Sequence, residues 1–170
     1  GEASGDYSGT SVSINSDGTI VAIGAYFNDG TGVSDMGHTR IYQYDSGNDI
    51  WNQLGQDIDG EAAGDYSGCS VSINGDGTIV AIGAYANDGT GNNDEGHVRI
   101  YQYNGTVWNQ LGQDIDGEAI NDQSGYSVSI NGDGTIVAIG ATGNDGTATT
   151  GNMGHTRIYQ YNSVNDIWNQ

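Results

Sequence analysis

The sequence predicts an all-β protein made of three copies of one four-stranded antiparallel unit. The copies span residues 1–59, 60–116 and 117–170, and the matching Glu2, Glu61 and Glu118 stand 59 and 57 residues apart. In each copy, short runs of alternating or β-branched apolar residues are separated by segments rich in Gly, Asn and Asp. Such runs are typical of strands joined by turns, and no segment indicates a helix.

The second copy illustrates the four strands, which we expect at residues 70–73, 78–84, 97–103 and 107–113. Asp76-Gly77 between the first two strands predicts a tight type I′ hairpin. The second strand has small or apolar residues on both faces, so both faces must be covered. A sheet of this size, covered on both sides by copies of itself, is typical of a β-propeller blade, whereas a β-solenoid coil would be shorter, about 20–30 residues.

The repeat resembles the FG-GAP repeats of integrin-alpha-type β-propellers. The matching pieces are Ser-Gly followed by SVSI in place of Phe-Gly, the NGDG hairpin at 74–77, Gly83-Ala84 and the strand GHVRIYQY. Tyr26, Tyr85 and Thr142 replace the proline of the GAP tripeptide. The resemblance implies propeller blades used for recognition or assembly outside the cell.

Three blades form an incomplete ring unless the array is extended or oligomerised, because propellers close with about 4–8 blades. The open ends would leave apolar faces uncovered, so we expect self-association or further blades of the same chain. The chain could be a slice of a longer array, half of a two-fold ring or a filament subunit, and the sequence does not choose among these. Further partners of the expected kind are an extracellular protein or a glycan.

The charge of the chain argues against two classes of partner, nucleic acids and anionic membranes. The chain has 22 acidic residues, three basic ones and a formal net charge of -19. Nucleic acids and anionic membrane surfaces require a basic face, so neither is an expected partner. The longest apolar run, residues 20–25, is far shorter than a membrane-spanning helix, so membrane insertion is not expected either.

Acidic residues recur where one copy joins the next, with the spacing D-x-D-G-E-x-x-x-D. Crowded carboxylates repel one another, and a hard cation such as Ca²⁺ would neutralise them. Alternatively, the carboxylates could accept backbone hydrogen bonds in the linking turn or pair with Arg40, Arg99 and Arg157. The candidate calcium ligands are Asp57, Asp59, Glu61 and Asp65 at the first junction and Asp114, Asp116, Glu118 and Asp122 at the second.

Motifs of catalysis are missing from the sequence. It contains no GxSxG, no HExxH, no cysteine nucleophile beside a histidine, and no carboxylate pair unique to one copy. We therefore predict a non-enzymatic extracellular structural or adhesion scaffold, self-assembling or part of a longer surface or filament protein.

The alternative function is a lectin-like carbohydrate-binding propeller that uses aromatic residues on its rim. Trp51, Trp108 and Trp168 could be sugar platforms, although a recurring tryptophan on an outer strand favours packing between blades. Asn104 begins the sequon Asn104-Gly105-Thr106 and is a candidate glycosylation site in the loop between the third and fourth strands.

Overall fold

A computed structural model describes residues 1–30, 32, 34–89, 94–146 and 151–170. Within these ranges the chain contains strands and turns but no helix, and the strands form three open antiparallel sheets. The predicted all-β fold class of propeller-like blades is therefore confirmed. Across the same ranges there is no helix whose length and hydropathy would let it cross a membrane.

Each sheet is one blade, and its strands follow the chain order. Blade 1 contains β1 (Ser11–Ile14), β2 (Ile20–Ala25), β3 (His38–Asp45), β4 (Ile50–Gln53) and β5 (Ile58–Asp59). Blade 2 contains β6 (Ser70–Ile73), β7 (Ile79–Ala84), β8 (His97–Tyr103), β9 (Trp108–Gln110) and β10 (Ile115–Asp116). Blade 3 contains β11 (Ser124–Ile130), β12 (Ile136–Ala141), β13 (His155–Asn162) and β14 (Ile167–Asn169). In blades 1 and 2 the third strand pairs with both the fourth strand and the short fifth strand.

The hairpin between the first two strands lies where predicted, but its turn differs from the expected type. A type I′ turn needs positive φ at both central residues, whereas only Gly77 (φ 79°) is left-handed and Asp76 is not. The Asn74 side chain closes the turn instead: its Oδ1 accepts the backbone N–H of Thr78 at 2.9 Å and of Ile79 at 2.8 Å. An Asx-type bond therefore supports a four-residue turn.

The first strand of each blade is the innermost, because β1 packs against β6 and β6 against β11. Ser11 Oγ donates to the carbonyl of Gly68 at 2.7 Å, and Ser70 Oγ donates to that of Gly125 at 2.7 Å. The approach is so close that a Cβ built on Gly24 would lie 2.0 Å from the Gly68 oxygen. A glycine is therefore required where neighbouring blades meet.

The hydrophobic core lies between blades rather than within one. We call the side of a sheet that meets the following blade its forward face and the other side its rear face. The first core joins the forward face of blade 1 to the rear face of blade 2, and the second repeats this contact between blades 2 and 3. The first contains Ile20, Ala22, Ile41 and Ile58 on the forward side and Val71, Ile73, Val80, Ile82, Tyr101 and Trp108 on the rear side.

Candidate functional site

The candidate site is the end of the sheets that carries the longest loops. There the first strand of each blade begins, the second ends, and the third begins. We call this end the loop face. The linkers that enter each blade and the loops between its second and third strands all lie there, whereas the short hairpins lie at the opposite end. Loops held by a rigid scaffold are where binding and catalytic residues concentrate.

A continuous row of aromatic rings crosses the loop face from blade 1 to blade 3. Ring centroids lie 5.3 Å apart for Tyr7 and Phe27, 5.2 Å for Phe27 and Tyr66, 5.5 Å for Tyr66 and Tyr85, and 5.6 Å for Tyr85 and Tyr126. The ends of the row are open, with Tyr7 64% and Tyr126 53% exposed. Because these residues flank the first and second strands, the row lies on the inner part of the face.

The loops that hold this row have unusual but repeated backbone geometry. Tyr7 (φ 51°) and Tyr66 (φ 57°) are left-handed, which is costly for a bulky side chain, and Gln123 has φ 56° at the same position of the third copy. A buried carboxylate next to each of them fixes the linker. The Asn87 amide donates to Asp65 at 3.1 Å, and equivalent bonds join Asn28 to Asp6 and Asn144 to Asp122.

Further out on the loop face, each copy places its arginine beside a glutamate and a histidine. Arg99 contacts Glu61 at 3.2 Å and donates to the backbone carbonyl of Asp59 at 2.9 Å. The guanidinium also lies 5.7 Å from the Tyr101 ring centroid. In the other copies Arg40 pairs with Glu2 and Arg157 with Glu118. The three arginines are the only basic residues apart from histidine, and each is paired with a glutamate, so no unpaired arginine remains among the described residues for an anionic ligand.

The ionisation of these groups follows from their packing. Burial first and the Arg99 charge second lower the pKa of His97 to about 4, and the pKa of His38 is lowered by burial and then by the charge of Arg40. The hydrogen bonds from Arg40, at 3.0 and 2.9 Å, lower the pKa of Asp57. These histidines are therefore neutral near pH 7 and covered, and they do not present an exposed acid or base.

The eight predicted calcium ligands do not gather into one group per junction. Two clusters of possible ligand atoms occur among the described residues, one formed by Glu2, His38 and Asp57 and the other by Glu61, His97 and Asp114. The first cluster contains one predicted ligand, Asp57, and the second contains one from each junction, Glu61 and Asp114. Neither cluster contains Asp59 or Asp116, while Asp65 and Asp122 are buried in the linker bonds described above. Arg40 and Arg99 bring positive charge to the same clusters. Calcium binding stays a prediction.

Blade 2 contains a set of carboxylates, Glu95, Asp114 and Asp116, that the other copies do not repeat in full. This differs from our expectation that no carboxylate pair is unique to one copy. Glu95 occupies the position that Met36 and Met153 have in the other copies. Loss of solvation, then the charges of Asp114 and Glu95, raise the pKa of Asp116, although that residue is exposed on the loop face. Residue-by-residue alignment of the copies could have found this position, because a methionine is replaced by an acid.

The remaining candidates lie elsewhere. Trp108 and Trp168 are each 3% exposed, and the Trp108 indole N–H donates to the Leu54 carbonyl at 2.7 Å, so these tryptophans pack blades together. Asn104 is exposed in the turn before β9, where its Oδ1 accepts the N–H of Thr106 at 2.9 Å. Its glycosylation stays a prediction.

Comparison with known proteins supports the fold and changes the functional interpretation. Residues 58–101 match the family model of the FG-GAP repeat, which confirms that resemblance for this segment. The chain has no significant match among curated protein sequences.

The fold is shared with a number of solved structures, including three named as lactonases. A proposed 6-phosphogluconolactonase from Bacteroides uniformis has a TM-score of 0.59 and 12% identity, over 94% of this chain and 38% of that one. Another from Bacteroides fragilis has a TM-score of 0.57 and 11% identity, over 93% and 36%. The periplasmic gluconolactonase of Pseudomonas aeruginosa has a TM-score of 0.56 and 15% identity, over 90% and 39%. The chain thus spans well under half the length of the structures it matches.

These matches contradict the prediction of a non-enzymatic structural or adhesion scaffold and its lectin-like alternative. The reason is that nearly the whole chain superimposes on structures that are named as lactonases, which are enzymes. Contiguous motifs and an obvious break in repeat symmetry are poor indicators of a site of this kind. A site on the loop face of a propeller draws single residues from several loops, so it leaves no contiguous motif in the sequence.

Proposed function

We propose that this chain is part of a β-propeller enzyme that hydrolyses a neutral sugar lactone on its loop face. The observation that carries the proposal is the presence on that face of the aromatic row and of Asp116, whose pKa is raised by loss of solvation and then by the charges of Asp114 and Glu95. The likeness of the fold to structures named as lactonases supports the reaction class.

The aromatic row suits the substrate. Sugar rings present C–H faces that pack on aromatic rings, and tyrosine adds a hydroxyl for hydrogen bonding. Tyr85 of the aromatic row directly follows Ala84, the last residue of β7. In the sheet, Asp116 of β10 lies opposite His97 of β8, and His97 lies opposite Ala84 of β7. Two strand spacings, about 10 Å, therefore separate Asp116 from the backbone that leads to Tyr85. This span matches a bound monosaccharide.

Charge favours a neutral lactone over a phosphorylated one. A phosphate group is normally held by free arginine, lysine or helix N-termini. In this chain the three arginines pair with glutamates, no helix occurs among the described residues, and the net charge is -19. The 6-phospho substrate of the compared structures' names is therefore not the substrate we propose.

In the proposed reaction, Asp116 acts as general base. Its carboxylate takes a proton from water while the water oxygen bonds to the lactone carbonyl carbon. The ring C–O bond then breaks, the departing oxygen takes up a proton, and the product is the open hydroxy acid. A raised pKa makes a carboxylate a stronger base, which suits this role.

The test is hydrolysis of gluconolactone, followed as acid release at constant pH and compared with the spontaneous rate in the same buffer. We expect Asp116→Asn to lower kcat about 100-fold or more. The matched control is Asp59→Asn, the same position in blade 1, which should keep the rate of the unmodified chain. Glu95→Met, which restores the residue of the other copies, should lower the pKa of Asp116 and move the acidic limb of the pH profile to lower pH.

Binding is tested separately through the aromatic row. Tyr66→Ala should raise KM about 3–10-fold, the usual range for one aromatic contact, while Tyr44→Ala at the opposite end should leave KM unchanged. A rate equal to that of buffer contradicts the proposal, as does equal loss of activity in Asp116→Asn and Asp59→Asn. Preference for the 6-phosphorylated lactone would contradict the substrate class.

We also propose that the protein works outside the cytoplasm. The FG-GAP match, the surplus of acidic residues and a compared structure named as periplasmic support this location. Fractionation of the source cells tests it, and recovery of the protein with cytoplasmic markers would contradict it.

A further inference from the structure

The rear face of blade 1 exposes large apolar side chains in a regular array. Val12 is 63% exposed, Ile14 58% and Trp51 45%, although each has strand geometry. A groove of about 310 Å³ lies between Val21, Ile23, Tyr42 and Trp51. An apolar patch of this kind marks an interaction surface in a soluble protein.

The forward face of blade 3 is the other open end. Ile158 is 61% exposed and Ile136 is 39% exposed, and both line a groove of about 560 Å³. The chain thus has two uncovered faces, and they are opposite sides of the blade stack.

Both open faces carry the residues that are buried between blades inside the chain. Val71, Ile73 and Trp108 are the counterparts of Val12, Ile14 and Trp51 in blade 2, and they are only 8%, 6% and 3% exposed. On the forward side, Ile41 and Ile100 correspond to Ile158 and are 0% and 1% exposed. The molecule therefore contains the same contact twice, already formed, and displays each half of it once more.

We propose that the rear face of blade 1 binds the forward face of blade 3 of a second copy of this chain. The contact would repeat the two internal ones, with Ile158 of the second copy entering the groove beside Tyr42 as Ile41 packs against the rear face of blade 2. It is heterologous, so it joins copies head to tail and forms either a closed ring or a filament. This inference does not depend on the proposed enzymatic function.

Two features set the strength of the contact. Inside the chain, the apolar packing is accompanied by hydrogen bonds that the Trp108 backbone N–H donates to the Gln56 side chain and the indole N–H donates to the Leu54 carbonyl. Each copy also carries a net charge of -19, which repels another copy unless salt screens it. We expect association to strengthen when NaCl is raised from about 0.02 M to about 0.5 M.

The experiment blocks one face at a time. Ile14→Asp closes the rear face and Ile158→Asp closes the forward face, and both positions are exposed in the single chain, so folding should persist. Native mass spectrometry and sedimentation at increasing protein concentration then report the assembly. The unmodified chain should associate, each variant alone should stay at 17.7 kDa, and their equimolar mixture should form a 1:1 dimer through the one complementary pair of faces. Val164→Asp, at an 89% exposed turn residue, should associate like the unmodified chain.

Other outcomes overturn the proposal. A monomeric unmodified chain at high salt and millimolar concentration would leave the faces to further blades of a longer chain. Dimers of a single variant would indicate a symmetric contact instead. A mixture without dimers would show that the two faces do not recognise each other.

Discussion

Blade 2 and the outer blades have nearly the same sequence but very different surroundings. Every residue of β7 (IVAIGA) is buried, whereas the identical sequences of β2 and β12 each bury only part of their residues. The difference arises from neighbours alone, because blade 2 is covered on both faces and each outer blade on one. The comparison teaches that a blade of this repeat is only completed by contact with another blade.

The largest effect should come from the tryptophan of the outer strand. Trp108→Ala removes a side chain that is 3% exposed and whose indole N–H bonds to Leu54, so we expect a loss of about 3–5 kcal/mol in unfolding free energy. Trp51→Ala at the open rear face should cost about 1 kcal/mol or less, because Trp51 is 45% exposed. Urea unfolding of both variants at low protein concentration measures the difference.

Equal losses of unfolding free energy in the two variants would contradict this difference between the blades, since they would mean that Trp51 is buried in solution. If the loss of unfolding free energy in Trp51→Ala rises with protein concentration, the second copy of the chain that we propose is what buries Trp51. The exposed Val164→Ala is the control for both, and it should change stability by less than about 0.5 kcal/mol.

Much of the fold was predictable from the sequence because the same strand patterns occur in all three copies of the repeat. The bounds of β6 and β8 agree with the prediction, since alternation at 70–73 and a β-branched run between Gly-rich loops leave few alternatives. The structural role of the arginines was also predictable. Arg99 shares its strand face with Tyr101, and three cations among 22 acids must find partners.

The site was less predictable because its residues come together only through blade packing. Tyr66, Tyr85 and Tyr126 are distant in sequence and occupy different positions of the repeat, so no spacing rule joins them. The predicted calcium ligands illustrate the converse. Asp57 and Glu61 are close in sequence, but the chain turns between them from one blade to the next, and they point to different arginines.

A second effect should appear as a pH dependence of stability that is largest at the contact between blades 1 and 2. Burial and Arg99 lower the pKa of His97 to about 4, from an ordinary value of 6.5 that the unfolded chain keeps. Between pH 6.5 and 4 the unfolded state therefore binds a proton that the folded state does not. Stability from this residue is complete above pH 6.5 and falls by up to ~3 kcal/mol as the pH drops to about 4.

The variant His97→Asn should flatten the pH profile of unfolding free energy in that window, as measured by urea unfolding at several pH values. His38→Asn should flatten it less, because no blade covers the rear face beside His38. The sizes of these two changes in the slope of unfolding free energy against pH show which blade contact lowers the pKa of its histidine more. A steeper contribution from His38 would contradict the idea that blade cover, rather than the local loop, sets the ionisation of these histidines.

The smallest effect concerns a serine that joins inner strands. Ser72 Oγ accepts the backbone N–H of Ile130 at 3.0 Å, as Ser13 Oγ accepts that of Ile73, whereas Ser129 occupies the same position on the open forward face of blade 3. Ser72→Ala leaves a backbone N–H at the blade contact without this acceptor, so we expect a loss of about 1–2 kcal/mol, against nearly none for Ser129→Ala. Hydrogen exchange of the Ile130 amide checks the cause, because it should quicken in Ser72→Ala alone. Unchanged exchange would mean that water replaces the serine, and the inner strands would then be joined by their apolar side chains and not by this ladder of hydroxyls.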